Sequence, residues 1–91
     1  MSYPVAEVGS AVNLTASGVI STGPCQLLGF YVNSTTAGTV IIKDGGSSGT
    51  ALSGTITPAK GYHRFPATIG TSAYATIANT LDVTFFFATG N

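Results

Sequence analysis

The apolar positions of this chain come in short runs rich in β-branched and aromatic side chains, separated by Gly, Pro, Asn and Asp. That spacing predicts strands joined by turns, and no stretch repeats its apolar residues at a helical period. The cleanest alternation lies at residues 80–87. Leu81, Val83, Phe85 and Phe87 fall on one face of a strand there, and Asp82, Thr84 and Phe86 on the other. The first set reads as core. Phe86 is the exception, an aromatic ring on a face that otherwise carries Asp82 and Thr84.

Upstream, the same reading places strands at 11–15 and 18–21, closed by the breaker Ser21-Thr22-Gly23-Pro24. Residues 25–33 form the longest candidate, with apolar side chains on both faces, as suits a strand covered on both sides. Ser34-Thr35-Thr36-Ala37-Gly38 then reads as the loop of a hairpin returning through 39–43. Asp44-Gly45-Gly46-Ser47-Ser48-Gly49 is a turn signal with three glycines able to take positive φ. Alternation resumes at 51–57, turns at Thr57-Pro58-Ala59-Lys60-Gly61, and continues at 62–65 until Pro66 closes the run. A strand at 73–78 precedes the one at 80–87. The sum is seven or eight short strands, which predicts a single small antiparallel β-sandwich or jelly-roll-like barrel over residues 11–91. Residues 1–10, interrupted by Pro4 and Gly9, read as an extended N-terminal arm.

At 91 residues the chain has length for one core. A domain of this size buries only about 60–65% of the surface its unfolded chain exposes and needs further support. One cysteine, Cys25, allows no intrachain disulfide, and one histidine, His63, makes no ligand cluster for a metal. Self-association or a partner is what remains. Charge points the same way: 7% of residues are charged, against about 25% in an average domain. Lys43, Lys60 and Arg64 balance Glu7, Asp44 and Asp82, so no basic stripe exists for a nucleic acid. The surface is expected to be Thr, Ser and Gly, with 14 threonines and nine serines in the chain. No apolar run approaches the ~20 residues of a spanning helix, so no membrane partner is expected. The start, MSYPVAEVGSAVNLTASG, has neither the basic nor the apolar part of a secretory signal, so use without export is expected. On that basis the sequons at Asn13 and Asn33 read as chance matches in a Thr-rich chain.

Chemistry is hard to find. His63 and Asp82 are the residue types of a base and its orienter, and Ser72 or Cys25 of a nucleophile, but no Gly-x-Ser-x-Gly elbow or carboxylate pair accompanies them. Cys25 opens an apolar strand and reads as a small buried hydrophobe. The Gly45–Gly49 cluster lacks the Gly-Lys-Ser/Thr ending of a phosphate loop and has no helix after it. Tyr31, Tyr62 and Tyr74 could together form a platform for a sugar face, although packing or an interface is the better reading of each. The expectation is a non-enzymatic protein without cofactor or metal. The residues marked for a protein interface are Phe86, Tyr31, Tyr62, His63 and Arg64, with Tyr3 on the arm.

The strand sequences carry a resemblance. Leu27-Leu28-Gly29-Phe30-Tyr31-Val32-Asn33-Ser34-Thr35 and Gly38-Thr39-Val40-Ile41-Ile42-Lys43-Asp44-Gly45 look like small virion proteins of tailed bacteriophages. So do Ser48-Gly49-Thr50-Ala51-Leu52, Thr57-Pro58-Ala59-Lys60-Gly61, Tyr74-Ala75-Thr76-Ile77 and Thr80-Leu81-Asp82-Val83-Thr84. The likeness runs from Cys25 onward and rests on strand and turn residues, not on a site. It implies a virion structural protein assembled in the host cytoplasm. The first form is a head decoration (cement) protein, a homotrimer that binds the major capsid protein and bridges its subunits. The alternative it implies is a fibre or tail component in contact with host-surface glycan.

Overall fold

The computed structural model describes residues 9–89, and all of the regular structure in that span is strand. One antiparallel sheet contains six strands: β1 (Gly9–Leu14), β2 (Gly18–Ser21), β3 (Cys25–Asp44), β4 (Thr50–Ala51), β5 (Gly61–Ile69) and β6 (Ala73–Ala88). The fold is therefore all-β, as the periodicity predicts, with fewer and longer strands than the seven or eight expected. Two pairs of predicted strands are fused. β3 runs for 20 residues and β6 for 16, and they pair from Gln26↔Ala88 to Asp44↔Ala73. Residues 34–38 are thus not a hairpin loop. Their backbone is held against β6, where Ser34 faces Asp82 and both Thr36 and Ala37 face Thr80.

The turn-type residues of that stretch serve a bend. Ala37 and Asn79 have positive φ, 56° and 63°, and the Asn79 side-chain amide donates to the Ala37 carbonyl at 2.8 Å. Asparagine tolerates the left-handed region, and its short side chain bonds nearby backbone. Gly38 completes the joint, because a Cβ there would collide with the Thr80 carbonyl and lie 2.6 Å from Leu81 Cβ. Either side of this joint the β3–β6 ribbon carries different neighbours. On one side β1 lies along the end of β6 and β5 along the start of β3; on the other, β2 pairs with the start of β6 and β4 with the end of β3.

The inner face of both arms feeds one core. Leu27, Phe30, Val32, Leu81, Val83 and Phe85 come from the first arm, and Ile20, Val40, Ile42, Ala73 and Ala75 from the second. With no helix among the described residues, this face has only the rest of the sheet and the segment 52–60 to bury against. That segment was expected to contain a regular strand over 51–57. Only Thr50–Ala51 and one bridge, Val40↔Ile56, are regular, because the Ser53 hydroxyl takes the Ile42 N–H (3.1 Å) that a backbone acceptor would otherwise hold. Ile56 still packs on the core.

Two further boundaries differ from the sequence reading. Pro66 does not close a strand: β5 continues through it to Ile69, at a bulge opposite Leu28. β5 pairs only with β3, and an edge strand with a bulge tolerates a residue that lacks an N–H. At the start of the chain, Gly9 and Ser10 already belong to β1, paired with Ala88 and Phe87. The rest of the expected arm, 1–8, lies outside the described residues.

The end of β3 is tied to the β5–β6 turn by one carboxylate. Asp44 accepts N–H bonds from Gly70 (3.0 Å), Thr71 (2.9 Å) and Ser72 (3.2 Å). These amides, that of Gly70 foremost, hold its pKa below the ordinary aspartate range. A carboxyl with a depressed folded pKa stabilises the fold fully above its unfolded pKa and stops doing so as pH falls through the folded value. Melting temperature followed from about pH 7 to about pH 2 should therefore drop more in the native chain than in Asp44→Asn. The two curves should converge at the acid end, and parallel curves would exclude this clip.

Candidate interaction surface

Alternation along the first arm puts a set of large side chains on its outer face. Across the sheet, Ala11, Phe86, Gly29 and Arg64 form one row, and Asn13, Thr84, Tyr31 and Tyr62 the next. Phe85 points inward and is fully buried, so neighbouring phenylalanines of β6 lie on opposite sides, as strict alternation requires. Leu28, the extra residue of a bulge in β3 against β6, is 38% exposed, Tyr31 43% and Tyr62 55%. These side chains and Phe86 line an open apolar depression that reaches from β1 to β5.

Glycine 29 makes this arrangement possible. A Cβ at that position would lie 2.6 Å from the Tyr62 hydroxyl and 2.6 Å from the His63 carbonyl. The Tyr62 ring leans across the bare backbone and meets Phe86 at a centroid distance of 6.3 Å, within the range of favourable aromatic pairs. An aromatic ring over a strand glycine covers backbone that would otherwise face water.

Beyond the aromatic end, the same face carries a polar cluster. The Asn13 amide nitrogen donates to Asp82 Oδ1 (2.8 Å), Thr84 Oγ1 (3.0 Å) and the Val83 carbonyl (3.1 Å). The Asn33 amide donates to the same Asp82 oxygen (3.2 Å) and to Thr84 Oγ1 (3.1 Å). Two strands flanking β6 are thereby fastened to it from the outside. The sequence reading passed over both asparagines as stray sequons. Their place two strands apart, facing the Asp82–Thr84 edge of β6, is the signal it lacked.

Of the residues marked from the sequence, Phe86, Tyr31, Tyr62 and Arg64 are brought to this one face. His63 is not. It points inward, its ring 5.3 Å from that of Phe30, with Nε2 donating to the Ala59 carbonyl at 2.6 Å. Its role there is to tie the segment 52–60 to β5. Tyr74 lies on the second arm, opposite Val19 and Lys43, so the three tyrosines do not make a common platform. Tyr3 lies outside the described residues. His63 and Asp82 occupy opposite faces of the sheet and cannot act as a pair. Cys25 is buried and its thiol pKa is raised, chiefly by desolvation, which disfavours the nucleophilic thiolate.

The two adjacent phenylalanines give a direct test of this register. Phe85→Ser should cost about 3–5 kcal/mol, a large part of a small domain's stability. Phe86→Ser loses its contact with Tyr62, on the order of 1 kcal/mol, and should stay folded. Thermal melts of both variants decide it, and the reverse order would place Phe86 in the core. Against this geometry no family model matches the chain, and no curated protein or solved structure matches it either.

Proposed function

We propose that this chain is a structural protein of a tailed-bacteriophage virion, a decoration (cement) protein that attaches to the assembled head and bridges its major capsid subunits. The observation that carries the reading is the outer face of the first arm, where Leu28, Tyr62 and Phe86 present an apolar surface on a chain with 7% charge. Monomeric proteins seldom leave such a face open, and aromatic side chains supply much of the energy of protein contacts. We place the contact at the Leu28 end of the face, with Phe86 as its anchor and Arg64 at its rim. The mechanism is mass action: a protein that binds the assembled shell but not its separated subunits raises the stability of the shell.

The remaining parts of the reading follow from the resemblance and from size. The bent sheet is read as a small sandwich of jelly-roll type, since one core draws on both arms. The chain is read as a homotrimer, because three-fold positions of a shell call for three copies. It would be a virion component without catalytic activity. A place in a fibre or tail is the second reading, supported by the polar half of the same outer face.

Two measurements test this. Light scattering on the purified chain should give a trimer mass, shifted towards monomer by Phe86→Ser without loss of fold. In purified particles the copy number should match the capsid subunit lattice. A soluble monomer at high concentration, together with only a few copies per particle, would overturn the decoration role.

A further inference from the structure

The polar cluster at the other end of this face does more than fasten strands, as its donor and acceptor inventory shows. Each asparagine side-chain nitrogen has two hydrogens, and both are engaged: those of Asn13 by Asp82, Thr84 and the Val83 carbonyl, those of Asn33 by Asp82 and Thr84. Thr84 Oγ1 accepts from both amides, which turns its own hydrogen away from them. Asp82 Oδ1 likewise accepts two bonds, and the bonds of the cluster use neither Asp82 Oδ2 nor the amide oxygens of Asn13 and Asn33. What the cluster offers outward is three acceptor oxygens, one of them anionic, and one hydroxyl donor. It offers no N–H and no cation.

Tyr31 stands beside this group. It is paired across the strands with Thr84, is 43% exposed and lines the apolar depression, so it stands where the polar and apolar ends of the face meet. A ligand that satisfies this set must bring several O–H donors at close spacing, one acceptor for Thr84, and an apolar face for the ring. We propose that Tyr31, Asn13, Asn33, Asp82 and Thr84 form a binding site for a neutral saccharide, with vicinal hydroxyls on the acceptor oxygens and the sugar's C–H face on Tyr31. An anionic sugar would meet the Asp82 carboxylate. A cationic side chain would satisfy that carboxylate and could lie on the ring, but it would leave the Thr84 hydroxyl without an acceptor. The four polar side chains hold one another through the bonds above, so little ordering of them is left for the ligand to impose. The site shares Tyr31 with the apolar depression but neither Leu28 nor Phe86, and its polar members lie outside that depression, so the inference does not rest on the assembly assignment.

The test is a titration of the isotopically labelled full chain, followed by amide NMR signals. The probes are cellohexaose, maltohexaose, mannohexaose, galactohexaose and the N-acetylglucosamine hexamer, with a lysine hexapeptide as the cationic probe. At least one sugar should produce saturable shifts at Asn13, Tyr31, Asn33 and Asp82, with a dissociation constant on the order of 1 mM. Tyr31→Ala should weaken that binding tenfold or more at unchanged melting temperature, Tyr31→Phe should restore it, and Phe86→Ser should leave it as it is. Shifts confined to another face, equal binding by Tyr31→Ala, or no shift with any of the five sugars would overturn the proposal. So would binding of the lysine peptide alone. Loss of sugar binding with an intact trimer would sink only this site, and loss of the trimer with intact sugar binding only the assembly reading.

Discussion

Two strands, β3 and β6, lie antiparallel along their full length, and each of the other four strands is attached to one of them. Every backbone N–H and C=O buried in a sheet needs a partner. In this chain the two long strands supply those partners to each other through the middle of the molecule, where neither β1, β2, β4 nor β5 reaches. That constraint explains the joint at Ala37, Gly38 and Asn79. A flat ribbon of this length would leave its apolar face in water, so it must bend, and the bend must occur without breaking the ladder. Two left-handed residues on the two strands, Ala37 opposite Thr80 and Asn79 next to it in sequence, are bridged by the Asn79 amide and achieve both.

The same pairing decides what the outer face looks like. β6 is central to the first arm, with β1 on one side and β3 on the other, and whatever it turns outward is flanked on both sides. Phe86 is therefore met by Tyr62 leaning over Gly29, and Asp82 and Thr84 are met by two asparagines. One strand thus sorts its outward residues into an apolar end and a polar end within a few residues. The two functional assignments made for this face follow that division.

How much of this was legible in the sequence depended on the range of the interaction concerned. Alternation from Leu81 to Phe87 is a local property of one strand: Leu81, Val83 and Phe85 are buried as it implies, while Phe87, near the strand's end, is only half-buried against the core. Residues 34–38 and Asn79 were legible only in part. Their need for unusual φ shows in the composition, but a turn and a bulge make the same demand, and only the partner strand distinguishes them. Pro66 misled for a similar reason, since its tolerance depends on β5 being an edge. His63 was marked for an interface from its place in a strand beside Arg64, whereas its pairing with Phe30 and the Ala59 carbonyl fix its inward position. The asparagine cluster depends on the register of three strands, which no local pattern encodes.

Few of the molecule's contacts join residues close in sequence, and this bears on how the chain reaches its fold. The start of β3 finds its partner only at the end of β6, and β1 pairs there as well. Sheets of such non-local pairing close slowly, on the order of milliseconds to seconds, because loop entropy is lost before contacts form. During synthesis, β1 and β3 emerge long before the strand that lies between them. Until then they expose Val12, Leu27, Phe30 and Val32 with unpaired edges and almost no charge to keep copies apart. Chains at that stage carry the exposed apolar surface and open strand edges through which unfinished copies associate, and the hazard grows with the level of synthesis.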